Sequence, residues 1–168
     1  MPGLDKVKIV FLDIDGVLNS YRTAYAMGPM KEEDGLDPIA VGLVREMCRL
    51  NKAGVVISST WRLGRDAQDF VILFERYGWK NPTVIGVTPT LSTGHRGKEI
   101  KAWLSGNSSI TDFVVVDDDN YDTADDFPDN FVHVDSKEGF LYRDFIKCSK
   151  ILTPDYSKVS DYINVVDF

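Results

Sequence analysis

The chain has 168 residues, 43% of them apolar and 27% charged, with a formal net charge of −7. That length suits one domain with a sizeable core, so residues 1–168 are expected to form a single domain. No apolar run nears the ~20 residues of a membrane span, and the start, MPGLDKVKIVFLDID, lacks a leader's long apolar segment. A cytoplasmic protein without a membrane partner is expected, and the acidic balance argues against a broad basic face for duplex nucleic acid.

Lys8 to Leu12 (KIVFL) is a short apolar run of strand formers and reads as a buried strand. It runs straight into Asp13-Ile14-Asp15-Gly16. Asn19 to Leu36, with Gly28, Pro29 and Gly35, is the one long irregular stretch, with at most a little helix, and loops of that length are often functional. Asp37-Pro38 supplies an N-cap and a first helical residue. Ile39, Leu43, Val44, Met47, Cys48 and Leu50 then recur at helical spacing, and Gly54 follows that helix. Val55 to Ile57 is a second strand, and Asp66 to Tyr77 is an amphipathic helix stopped by Gly78.

Thr83 to Val87 is a third strand, Lys98 to Leu104 a short helix, Phe113 to Val116 a fourth strand and Phe131 to Val134 a fifth. A helix is expected over Leu141 to Leu152 and a last one over Asp155 to Val165. Strands alternating with helices imply an α/β fold, a parallel sheet with helices on both faces. Cys48 and Cys148 stand outside any CxxC or Cys/His cluster, so reduced thiols and no structural zinc are expected.

In open parallel sheets, ligands bind beyond the carboxyl ends of the strands. Those ends carry Asp13 and Asp15, then Ser58, Ser59, Thr60, Trp61 and Arg62, then Asp117, Asp118 and Asp119. Gathered carboxylates repel unless a cation joins them, and oxygen-only ligands suit a hard ion such as Mg²⁺. Hydroxyls, backbone N–H groups and a basic side chain suit a phosphate.

These strand ends resemble the haloacid dehalogenase (HAD) superfamily of phosphohydrolases, whose first motif is an apolar strand ending DxDx(T/V). FLDIDGVL is similar to it. The resemblance implies a Rossmann-like three-layer fold with Asp13 as the nucleophile that becomes an aspartyl-phosphate. Asp15 would be general acid and then base, its carbonyl touching Mg²⁺. Ser58 or Ser59, with Ser59 favoured and Thr60 beside them, would bind phosphate. Arg96, with Lys98 as runner-up, would neutralise it, and Asp118, supported by Asp117, would hold the metal. The motifs span Phe11 to Asp119. The second and third are short and weigh little alone; all four in order at strand ends weigh much more. Gly16 and Arg62 are candidate substrate contacts, Arg62 having ion pairing with an acid as its alternative.

Plainer roles are expected elsewhere. Trp61 reads as core, His133 as a structural strand residue, and Asp122, Asp125, Asp126 and Asp129 as a solvated loop, with Asp122 able to approach the metal in relatives carrying a later acid. His95, beside Arg96, is a candidate substrate contact.

The gaps after the first motif and around Tyr77 to Gly97 are short, so the chain looks nearly capless, with an open site. ISSTWR, RGKEIKAWL and VVVDDD are similar to HAD domains linked to RNA repair, and more loosely to the phosphatase half of polynucleotide kinase-phosphatase. Three functions follow as expectations. The first is a Mg²⁺-dependent phosphomonoesterase acting on a phosphorylated small molecule or nucleotide. The second is an end-healing phosphatase acting on a nucleic-acid end, with Arg22, Arg62, Arg65, Arg96 and Lys98 as a local basic clamp. The third is a catalytically silent phosphate-binding module.

Overall fold

The computed structural model describes residues 7–28, 35–121 and 123–155. Asp122, and the expected last helix beyond Asp155, lie outside the described residues. Five strands, β1 (Lys8–Leu12), β2 (Ala53–Ile57), β3 (Val84–Val87), β4 (Phe113–Asp117) and β5 (Phe131–His133), form one sheet in the order β3-β2-β1-β4-β5. Every pairing is parallel. The helices are α1 (Tyr21–Met27), α2 (Pro38–Asn51), α3 (Ala67–Arg76), α4 (Arg96–Gly106) and α5 (Tyr142–Leu152). None among the described residues is long and apolar enough to cross a membrane.

The period of two along each strand divides the core. Val10 and Leu12 of β1, Val55 and Ile57 of β2, and Val114 and Val116 of β4 face one cluster with α2, α3 and α5. Ile9, Phe11, Val56 and Val115 face the other, which packs on Ile100, Trp103 and Leu104 of α4 and on Phe127. The central strands are therefore buried on both sides, as continuous apolar runs require. The result is the expected three-layer, Rossmann-like α/β fold.

Several boundaries differ from the sequence expectation. The stretch after β1 contains α1, seven residues capped by the Ser20 hydroxyl, which accepts from Thr23 N. Thr23 Oγ1 and Arg22 Nη2 both donate to Asp37 Oδ2, which ties α1 to the start of α2. Gly54 follows α2, as expected, without capping it. Lys52 caps it in the left-handed conformation, and Gly54 lies inside β2, where a Cβ would meet Ile85 Cδ1 at 2.4 Å. Helix α4 begins two residues early, at Arg96, because Glu99 is held from outside the helix, accepting from Leu91 N and Arg62 Nη2.

Chain order fixes where a ligand can enter. From β1 the chain winds outward through β2 to β3, then returns to place β4 on the other side of β1. The carboxyl ends of β1 and β4 thus flank the point where winding direction reverses, and a crevice opens there in such sheets.

Candidate active site

Three carboxylates meet at that crevice. Asp13 follows the last residue of β1 and hangs on β4 through Asp13 N–H to Val116 O, 3.0 Å. Asp117 ends β4, and Asp118 follows it. One oxygen each from Asp13, Asp117 and Asp118 can be chosen so that all three lie within 4.8 Å of one another. Asp13 is 4% exposed and Asp117 fully buried.

Such packing of like charge needs both room and compensation. Gly16 provides the room. It turns with φ +74°, and a Cβ there would sit 2.3 Å from Asp118 Oδ2. The space beside Gly16, offered above as a substrate contact, belongs to the Asp118 carboxylate. Arg96 provides part of the compensation: its Nη1 lies 2.5 Å from Asp117 Oδ2 and 3.2 Å from Asp13 Oδ1.

The compensation is incomplete. Burial, and next the charge of Asp117, push Asp13 up to about 7, against the pull of Arg96, the Ile14 N–H and the Ser59 hydroxyl. Burial also raises Asp117 and Asp118, opposed chiefly by Arg96 for the former. For Arg96, burial disfavours the charge, but Asp117 and Asp13 outweigh it and hold the guanidinium above its ordinary value. An oxygen-only cluster with surplus negative charge is the donor set a hard divalent cation takes, so these residues fit Mg²⁺.

Asp15 is set apart. Its carboxylate is exposed and held by two donors, Trp61 Nε1 at 2.9 Å and Asn19 Nδ2 at 2.8 Å. Asn19 Oδ1 accepts from Gly16 N in turn, so the Asp15–Asn19 turn is closed on itself. Two carboxylates two residues apart thus occupy different surroundings, one buried in the cluster and one wet at its rim.

The β2 end supplies hydroxyls. Ser59 is fully buried, bonds to Asp13, and caps a single 3-10 turn, Thr60–Arg62, by accepting from Trp61 N. Ser58 Oγ is buried and has no hydrogen-bond partner among the described residues. Thr60 is exposed. Lys98 is exposed too, and the cation at the carboxylates is Arg96.

Arg62 takes up the alternative role, ion pairing with an acid. Its side chain is 5% exposed, pairs with Glu99 Oε2 at 2.5 Å, and donates to the carbonyls of Ser58, Ser59 and Thr88. It fastens the hydroxyl turn to α4. The expected basic clamp is likewise reduced: Arg22 pairs with Asp37, Arg65 lies over the Trp61 ring, and Arg96 alone of the five is seen at the carboxylates. Asp126 pairs with Lys101 rather than the cluster, and Phe127 beside it is core. His95 is the N-cap of α4 without a side-chain cap bond.

Three further residues belong to the site. Trp61 is half-buried against the core yet holds Asp15. Asn19 holds Asp15 from the other side. His133 Nε2 bonds the Asp118 carbonyl at 2.8 Å, while its ring stacks on Phe131. Only Asn19 carried a local signal, its spacing of four from Asp15.

A parallel five-stranded α/β sheet with DxD at the end of its central strand, a hydroxyl turn beside it and an acidic pair on the neighbouring strand defines a HAD-type domain. The chain belongs to a particular family of these: residues 9–145 match the HAD domain in Swiss Army Knife RNA repair proteins. No curated protein and no solved structure matches it.

Proposed function

We propose that this domain is a Mg²⁺-dependent phosphomonoester hydrolase working through an aspartyl-phosphate on Asp13. The observation that carries the reading is the convergence of Asp13, Asp117, Asp118 and Arg96 at the sheet's switch point, with Asp15 held separately at the rim.

Phosphate binds with its charge against Arg96 and the Ser59 hydroxyl, with Ser58, Thr60 and Lys98 as further donors around it. Asp13, Asp117, Asp118 and the Asp15 carbonyl would hold Mg²⁺, which would supply charge neutralisation for the anion and the transition state. An Asp13 oxygen attacks phosphorus and the ester P–O bond breaks. Asp15 gives its proton to the leaving oxygen. Asp15, now a carboxylate, takes a proton from water, whose oxygen attacks phosphorus. The bond to Asp13 breaks and inorganic phosphate leaves, with both aspartates restored.

The substrate of the first reading is a small phosphoester or nucleotide. The second, hydrolysis at a polynucleotide end, is favoured by the RNA-repair proteins in which the family occurs. The test is phosphate release from an aryl phosphate and from a 3′-phosphorylated oligonucleotide, with Mg²⁺ and with chelator. Turnover is expected with Mg²⁺ only, and Asp13→Asn is expected to lose it. Full activity in Asp13→Asn would overturn the mechanism. Phosphate binding without turnover on any substrate would favour the silent binding module.

A further inference from the structure

Asp15 and Asp118 line a cavity of about 370 Å³ together with Gly16, Asn19, Tyr21 and Ser136. A second cavity of about 470 Å³ shares Asp118 and Ser136 with the first and ends at Arg143 and Lys147 of α5. The two cavities are neighbours that meet at Asp118 and Ser136. The segments around them are tied together by the backbone: Tyr21 N donates to Ser136 O, Arg22 N to Lys137 O, and Phe140 N to Val17 O.

The cations at the far end are oddly placed for a fold-only role. Arg143 is the second residue of α5. A helix N-terminus carries partial positive charge and favours acids, so a cation there works against the dipole. Lys147 lies four residues on, on the same helical face. Both side chains are more than half exposed, and both reach the same buried carboxylate, Asp144 Oδ1, at 3.9 Å. Asp144 is meanwhile engaged with Leu141 N. The other acid at that end, Asp135, accepts from Lys137 N in its own turn. Each of the two cations thus makes one long contact to the same carboxylate, beside a cavity that shares Asp118 with the one at Asp15. At the near end, Tyr21 presents an exposed ring.

We propose that Arg143 and Lys147 form a subsite for a second phosphate of the substrate, beside the phosphate hydrolysed at Asp13, with Tyr21 near the group between them. This rests on the hydrolase reading above. A second phosphate has two sources, the 5′-phosphate of a nucleoside 3′,5′-bisphosphate or the internucleotide phosphodiester of an oligonucleotide 3′-phosphate. A guanidinium and an ammonium suit either.

The experiment compares kcat/KM, with Mg²⁺, on a nucleoside 3′-monophosphate, the 3′,5′-bisphosphate and a dinucleotide 3′-phosphate. Wild type, Arg143→Gln/Lys147→Gln and Arg143→Lys/Lys147→Arg are used, each checked for folding by Tm. Wild type is expected to prefer at least one two-phosphate substrate over the monophosphate by tenfold or more. The preference should collapse toward one in the glutamine pair and return in the charge-keeping pair. Which substrate shows it identifies the source. A wild-type ratio near one, or a ratio unchanged in the glutamine pair, overturns the subsite while leaving the hydrolase standing. Calorimetric binding of the same ligands to Asp13→Asn, with and without the glutamine changes, separates the two readings. If nothing is turned over but the second phosphate still adds affinity that the glutamines remove, the hydrolase fails and the subsite holds. If the second phosphate adds no affinity, the subsite fails.

Discussion

At the scale of single residues, Asp13 and Asp15 owe their different assignments to their neighbours. Asp13 is buried among acids, and Asp15 is gripped by Trp61 and Asn19. A general acid has to be aimed at the leaving oxygen, and misplacement by an ångström costs rate. If Asp15 is the acid proposed above, the indole N–H is a positioning contact. Trp61→Phe keeps the apolar packing and removes only that donor. Hydrogen bonds to charged groups contribute ~1.5–3 kcal/mol, so kcat is expected to fall by about tenfold or more with Tm little changed. The loss should be larger for an alkyl phosphate than for a nitrophenyl phosphate, whose leaving group needs the proton less. Equal losses on both would sink the positioning role. This contact was hidden from the sequence because its partners are 46 residues apart, and an aromatic next to a strand end reads as core. The Asp13/Asp15 pair was legible for the opposite reason: two acids directly after a buried strand are costly unless something uses them.

At the scale of elements, the site depends on how the 3-10 turn after β2 is fastened to α4. The clamp is the Arg62–Glu99 pair, both side chains 5% exposed, with four carbonyls sharing the same guanidinium. Removing one partner leaves a buried charge unpaired, which costs ~3–5 kcal/mol. Glu99→Ala is therefore expected to lower Tm by about 10 °C and to weaken phosphate affinity through the displaced Ser59. Arg62→Met/Glu99→Leu should recover much of the Tm, since an apolar pair of similar volume carries no unpaired charge. Thermal melts of the two variants, beside phosphate inhibition constants, check this. A Glu99→Ala protein melting like wild type would show that the pair holds nothing. The strands themselves were legible to within two residues because their apolar runs are continuous. Helix α1 was not, being about two turns capped by Ser20 inside a segment rich in breakers. The start of α4 was missed because His95 offers no capping side chain and Glu99 takes its partners from outside the helix.

At the scale of the whole molecule, charge is sorted between the two ends of the sheet. A groove of about 560 Å³ lies at the amino ends of the strands and holds Arg45, Arg49, Lys52 and Lys80. Those cations stand at or near the carboxyl ends of α2 and α3, with Arg49 in the last turn of α2, Lys52 at its cap and Arg45 donating to Gly78 O. Helix dipoles account for them there, and no anion site is needed. The carboxyl ends of the strands hold the acids, at a cost. Asp13 is raised from 3.8 to about 7, burial first and Asp117 second. A raised carboxyl favours the folded state when protonated. Its contribution is fully present below about pH 4 and is lost as pH climbs to about 7. In chelator, the wild-type Tm is expected to fall across that window relative to Asp13→Asn, whose neutral amide cannot ionise, leaving the variant the more stable of the two at pH 8. On the proposed metal site, adding Mg²⁺ at pH 8 should reverse the order, because an ion bound at the folded cluster stabilises it by mass action and Asp13→Asn would lack one of its ligands. Scanning calorimetry at pH 5 and pH 8, with and without Mg²⁺, reads both signs. A chelated wild type that is no less stable than Asp13→Asn at pH 8 would mean that Arg96 alone balances the cluster. The stored repulsion argued here, and with it the thermodynamic reason for a metal, would then be absent.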